Sequence, residues 1–267
     1  MSIIQAIILA IVEGLTEFLP VSSTGHMALV SALMGIEKEQ FTKVFIETIQ
    51  FGTILSVLVL YWRKFIDFKG FKFYIKLIVA FLPAAFFGVI FKKHIDQLIG
   101  TPLFIAVVLF LGGIILLFVD NWFKNPQIDT EEKISNKNAL IIGFFQVLAV
   151  LFPGLSRSAA TIIGGMQQKL TRQAAAEFSF FLAVPTLAGA FAKSLWDAMR
   201  ETPEIITHHN IMLLVLGNLL GFIVAVIAIK AFISFLTKHG FRLFGYYRIL
   251  VGLVIIVMIL LGINLEV

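Results

Sequence analysis

The chain has 267 residues, 59% of them hydrophobic and only 14% charged, with 28 phenylalanines, a formal net charge of +5 and no cysteine. So much apolar side chain excludes a soluble domain, and the missing cysteines exclude a disulfide framework, a thiolate metal site and a thiol nucleophile. The Lys and Arg excess falls mostly between apolar runs, where it sets topology in a membrane rather than binding nucleic acid, and no nucleic-acid partner is expected.

Several runs approach or exceed the roughly 18 apolar residues that cross a hydrocarbon core, which predicts an all-α polytopic membrane protein. Met1 to Gln5 lacks the basic flank of a signal peptide, so no cleavage is expected. Residues 3–19 are apolar except for Gln5, Glu13, Thr16 and Glu17, and stop at Pro20. A polar turn, Val21 to His26, follows, and then Met27 to Ile36, too short to span alone. This predicts a re-entrant hairpin: a helix, a broken tip and a return helix. Spans are expected at about 41–62, 74–91 and 102–119, then a polar loop from Asp120 to Lys137. A second interrupted segment, Asn138 to Met166, contains the turn Pro153 to Thr161, and three more spans follow at about 175–193, 211–234 and 248–263.

The two interrupted segments resemble one another. Aligning Pro20 with Pro153 places Glu13 over Gln146 and Ser23 over Ser156. One set of loops holds Arg63, Lys64, Lys69, Lys72, Lys76, Lys124, Lys133, Lys137, Lys169, Arg172, Lys238, Arg242 and Arg248; the other holds only Lys38, Lys43, Lys92, Lys93, Lys193 and Arg200. The first set is assigned to the cytoplasmic side, with both termini outside. The expected architecture is an inverted-topology repeat with six transmembrane helices plus two re-entrant helix pairs, in a single membrane domain over residues 1–267. Repeat 1 covers about 1–120 and repeat 2 about 138–267. Gly112-Gly113 and Gly164-Gly165 are read as close-packing positions.

The polar residues inside the apolar runs carry the chemistry. Glu13 and Glu17 are four residues apart and share a helix face, where two buried carboxylates need protons or a cation; Mg²⁺ or Ca²⁺ suits their oxygens. The tip Ser22-Ser23-Thr24-Gly25-His26 offers hydroxyls, a glycine and an imidazole able to act as acid, base or nucleophile. In the second turn Gly154 permits close backbone approach, Ser156, Ser158 and Thr161 supply hydroxyls, and Arg157 supplies a planar fork suited to phosphate. The helix that opens after this turn presents free N–H groups to an anion. Carboxylates for a cation on one tip and an arginine on the other describe a diphosphate site.

These residues resemble the bacterial undecaprenyl pyrophosphate phosphatases, membrane enzymes also associated with bacitracin resistance. The resemblance runs over the whole chain, with Glu13 and Glu17 matching that family's Glu/Gln-x-x-x-Glu motif, Ser22 to His26 its hydroxyl-rich turn, and Pro153 to Thr161 its Pro-Gly-x-Ser-Arg-Ser-x-x-Thr motif. It implies hydrolysis of undecaprenyl diphosphate to undecaprenyl phosphate and inorganic phosphate, recycling the lipid carrier for peptidoglycan and other wall polymers. It implies dependence on a divalent cation, residence in the bacterial inner (cytoplasmic) membrane and an active site opening to the outer face. Glu13 and Glu17 would serve the metal or the attacking group, with Glu17, Ser23, His26 and Arg157 catalytic. The diphosphate would be bound by Ser22, Thr24, Gly25, Gly154, Ser156, Arg157, Ser158 and Thr161. The nucleophile stays open between Ser23, His26 and water, and a homo-oligomer is allowed for.

A different class of function fits the same pattern: a lipid-phosphate transporter or flippase binding the headgroup during passage. The type-2 phosphatidic acid phosphatases also pair a Ser-Gly-His element with a Ser-Arg element, but they place a histidine where this chain has Ile163.

Overall fold

The computed structural model describes residues 1–66 and 71–263. Lys69, counted above among the basic loops, and the last four residues of the second repeat lie outside the described residues. Twelve α-helices are present among the described residues: α1 (Ile3–Thr16), α2 (Ser23–Leu33), α3 (Gln40–Leu60), α4 (Trp62–Ile66), α5 (Phe71–Ile90), α6 (Lys92–Ile99), α7 (Pro102–Trp122), α8 (Asn136–Leu151), α9 (Arg157–Gln167), α10 (Arg172–Glu201), α11 (His208–His239) and α12 (Arg242–Leu260).

Six of them, α3, α5, α7, α10, α11 and α12, are long and apolar enough to cross a membrane, and each corresponds to one expected span. The differences lie at the ends. α10 continues to Glu201 rather than stopping near 193, and α12 begins at Arg242 rather than at 248. Starts are fixed by side-chain caps that satisfy the first free N–H groups: Ser2 bonds the amide of Gln5, Ser135 that of Asn138, Thr171 that of Ala174 and Thr207 that of Asn210. The short α6 was not foreseen, because its eight residues, Lys92 to Ile99, are too few and too charged to stand out beside the spans.

α3 packs on α10 and α11, α1 on α11, α5 on α8, and α7 on α12. The main core lies where α3, α5, α10 and α11 meet, with Phe178, Phe180, Phe181, Phe232 and Phe241 buried in it. Small residues bring the helix backbones together, as expected for helices that gain no hydrophobic drive from lipid. A Cβ on Gly143 would fall 2.4 Å from the Ala80 carbonyl oxygen, and one on Gly14 2.8 Å from that of Gly221. Gly112 and Gly113 serve packing as expected, admitting α12 against α7, and a Cβ on Gly112 would strike the Arg248 guanidinium.

That contact overturns one assignment. Arg248, counted with the cytoplasmic loops, lies inside α12 and is only 1% exposed. Lys76 is likewise within α5 and buried, its ammonium donating to the carbonyls of Glu131 and Glu132. A hydropathy run trimmed at its first charge mistakes a buried cation for a loop residue.

Candidate active site at the two helix breaks

α1 ends at Thr16 and α2 starts at Ser23; α8 ends at Leu151 and α9 starts at Arg157. The second helix of each pair is capped in the same way. Ser22 (φ 68°) accepts from the Gly25 amide and Ser156 (φ 74°) from the Ala159 amide. Both serines occupy the sparsely populated left-handed region, a strain characteristic of functional sites. Ser22, and not Ser23, is therefore the counterpart of Ser156. The second break holds one more residue between proline and capping serine, accommodated by Gly154 at φ 97°. Ser23 accordingly matches Arg157, each being the first residue of its helix.

Those two residues meet on Glu17. Ser23 Oγ donates to Glu17 Oε2 at 2.6 Å, and Arg157 Nη2 donates to Glu17 Oε1 at 3.0 Å. Arg157 also donates from Nη1 to the Ser179 carbonyl at 3.1 Å and lies over the Phe18 ring at 6.0 Å. Its Nε is buried without a partner. The predicted pairing of both glutamates on a cation is thus only partly what the geometry presents, because Glu17 has each oxygen already engaged.

Glu13 is different. Its carboxylate is fully buried and neither oxygen has a hydrogen-bond partner. It lines a cavity of about 230 Å³ together with Thr24, Lys43, Glu47, Gln50 and Asp96. No three His, Asp or Glu side chains among the described residues gather closely enough to hold a metal ion. The donor set fits a divalent cation held by Glu13 that takes its other oxygens from a bound phosphate, and does not fit an all-protein cage.

His26 is buried, with Nδ1 2.8 Å from the Ser22 carbonyl oxygen and Nε2 2.7 Å from Tyr247 Oη. Gly25 is buried beneath the tip, beside Leu109 and Ile105. In the second break most hydroxyls are engaged internally. Ser158 Oγ donates to the Leu19 carbonyl at 2.7 Å and lies 3.0 Å from Ser156 Oγ, while Thr161 Oγ1 donates to the Arg157 carbonyl and lies 2.6 Å from Ser179 Oγ. The close approach that Gly154 permits is to Ile105 of α7, whose carbonyl oxygen would lie 2.5 Å from an added Cβ.

The sequence reading missed the residue that holds the breaks together. Arg248 donates to the carbonyls of Pro20, Gly154 and Leu155 at 3.2, 3.0 and 2.8 Å, and to that of Leu109 at 3.2 Å. Three carbonyls freed by the broken helices thereby find a donor in a setting without water, and the Leu109 bond ties the same guanidinium to the uninterrupted α7. The signal that singled out Arg157, an arginine in an apolar run, was equally present here. Tyr247 and Ser179 gave no such signal.

The chain matches the family described as bacitracin resistance protein BacA over residues 6–254. It is 53% identical over 257 residues to an undecaprenyl-diphosphatase of Flavobacterium johnsoniae, covering 96% of both chains. It is 52% identical to an undecaprenyl-diphosphatase of Porphyromonas gingivalis over the full length of both, and 47% identical to one of Bdellovibrio bacteriovorus over 100% of this chain and 99% of the other. A match of this extent, carried through both helix breaks and the residues they join, places the chain in the bacitracin resistance protein BacA family.

Proposed function

We propose that this protein is an integral membrane hydrolase that converts undecaprenyl diphosphate to undecaprenyl phosphate and inorganic phosphate, returning the lipid carrier to cell-wall synthesis. The observation that carries the reading is the junction at Glu17, where a hydroxyl from one break and an arginine from the other share one carboxylate. The names of the relatives support hydrolysis over passage of an intact headgroup.

Phosphoryl transfer depends chiefly on positioning and charge neutralisation. Arg157 has its Nε free for a phosphate oxygen, and binding of the diphosphate lets its Nη groups follow. Ser23 Oγ is the nucleophile this geometry favours, since Glu17 already accepts its hydrogen bond and is placed to take the proton. The Oγ–P bond forms as the anhydride P–O bond breaks, and undecaprenyl phosphate leaves with the electron pair. Water then attacks the phosphoserine phosphorus, the Oγ–P bond breaks as Glu17 returns its proton to Ser23 Oγ, and inorganic phosphate departs with the water oxygen. His26 has both ring nitrogens engaged away from Ser23, so it is assigned a proton-handling role, not attack. A Mg²⁺ or Ca²⁺ ion on Glu13 would neutralise charge on the diphosphate oxygens. Thr24, exposed in the same cavity, is placed to donate to them.

The inverted repeat belongs to this reading as well, with α1, α2, α3, α5 and α7 corresponding to α8, α9, α10, α11 and α12. Its support is the exchange of partners: α1 packs on α11 as α8 packs on α5, while α3 meets its own counterpart α10 and α7 meets α12. The breaks are then re-entrant tips approaching each other from opposite faces. An opening to the outer face is supported by the cavity at Glu13, which is lined by Lys43 and Asp96 from the basic-poor side. A bacterial inner-membrane location accords with the six apolar helices and the lipid substrate.

The test is phosphate release from undecaprenyl diphosphate by detergent-purified protein, with and without a chelator, for wild type and Arg157→Ala. Chelator-sensitive release that collapses in the variant is expected. No release from well-folded wild type, or release unchanged in Arg157→Ala, overturns the reading.

A further inference from the structure

We propose that Tyr247 is a positioning residue of this site, its phenol holding His26 in a single tautomer and orientation; the inference rests on the hydrolytic reading above. His26 Nδ1 lies 2.8 Å from the Ser22 carbonyl oxygen, which can only accept, so Nδ1 carries the proton. Nε2 is then the lone-pair nitrogen, and at 2.7 Å the Tyr247 hydroxyl is its donor. The two rings are parallel within 7°, with centroids 5.5 Å apart. Without Tyr247 the buried Nε2 would have no partner in the described structure, an arrangement proteins avoid.

The phenol is held at this point by its neighbour. Arg248 joins α12 to both breaks and to α7 through four carbonyls, so the backbone that carries Tyr247 moves with the tips. Ser22 is at once the strained cap of α2 and the acceptor for His26, and the imidazole is thereby fixed from both of its nitrogens. Tyr247 itself is 42% exposed and forms the outer side of the pair. His26 bonds Ser22 and Tyr247, whereas Ser23 bonds Glu17. α12 thus contributes a side chain to a site that the sequence motifs confine to the two breaks.

The experiment compares Tyr247→Phe with wild type and with Tyr246→Phe, a neighbour 61% exposed. Tyr247→Phe keeps the stacked ring and removes only the donor. Its kcat on undecaprenyl diphosphate is expected to fall roughly tenfold, the scale of one lost hydrogen bond, with KM within about twofold. Tyr246→Phe should match wild type. In parallel, ¹⁵N spectra of histidine-labelled protein, with His26 assigned by its loss in His26→Gln, should show one neutral Nδ1–H tautomer in wild type and a mixture in Tyr247→Phe. Unchanged kcat together with an unchanged tautomer overturns the proposal. If wild type releases no phosphate, the hydrolytic reading fails, and the tautomer measurement still decides whether Tyr247 holds His26.

Discussion

The two helix breaks use one backbone device for different ends. Each has a proline, a capping serine at positive φ and a short helix leading away. In the first break Ser22 and His26 are bonded within the fold, but Glu13 has no partner, Thr24 is exposed in the cavity, and Ser23 is bound only to Glu17. In the second, Ser156, Ser158 and Thr161 are bonded to one another and to Ser179, while Ser158 reaches across to the Leu19 carbonyl and Arg157 to Glu17. Under the proposed mechanism, similar sequence motifs divide into a reactive tip and a supporting tip that presents one cation. A buried hydroxyl satisfied within the fold has no donor left for a ligand.

Ser23→Ala is the sharpest way to break this comparison. If the first tip holds the nucleophile, phosphate release should fall by about a thousandfold or more, since groups acting as one unit are not replaced by their neighbours. A loss of only a fewfold would shift attack to water or His26. Next is Arg157→Ala, expected to cost about 10²–10³-fold in kcat, the range for removing a donor aimed at developing charge. Arg157→Lys should recover little of it, because a point charge cannot bridge Glu17, the Ser179 carbonyl and a phosphate together.

Glu13→Gln keeps the shape and removes the charge. We expect roughly a hundredfold loss of activity, with much weaker dependence on added Mg²⁺ or Ca²⁺ in a metal titration after chelation. Full metal dependence in this variant would move the cation elsewhere. The smallest effect is assigned to Ser158→Ala, in the supporting tip. Its activity should stay within about threefold of wild type, while unfolding measurements register a loss of about 1 kcal/mol for the missing hydrogen bonds. A collapse like that of Ser23→Ala would mean that both tips contact the phosphate.

Much of this arrangement was legible in the residues. The six spans, the two interruptions and the candidate chemistry of Glu13, Glu17, His26 and Arg157 follow from hydropathy, proline and the cost of placing polar groups among apolar residues, all local properties of the chain, whereas Ser23 was singled out from its hydroxyl-rich turn by the family resemblance. The proline alignment nevertheless misplaced the serines by one, because the extra residue is absorbed by Gly154 in a conformation that no local pattern announces.

The sequence by itself determined the six long apolar helices and the burial of Glu13 and Glu17 beside them, since each depends on neighbours a few positions away. Only the tertiary structure decided which of those groups are left available. Arg157 meets Glu17 across 140 residues, Tyr247 meets His26 across 221, and Arg248 reaches Pro20 across 228. Hydrogen bonds are directional and saturable, so whether a buried polar atom serves the fold or the substrate is settled by the partner that packing brings to it.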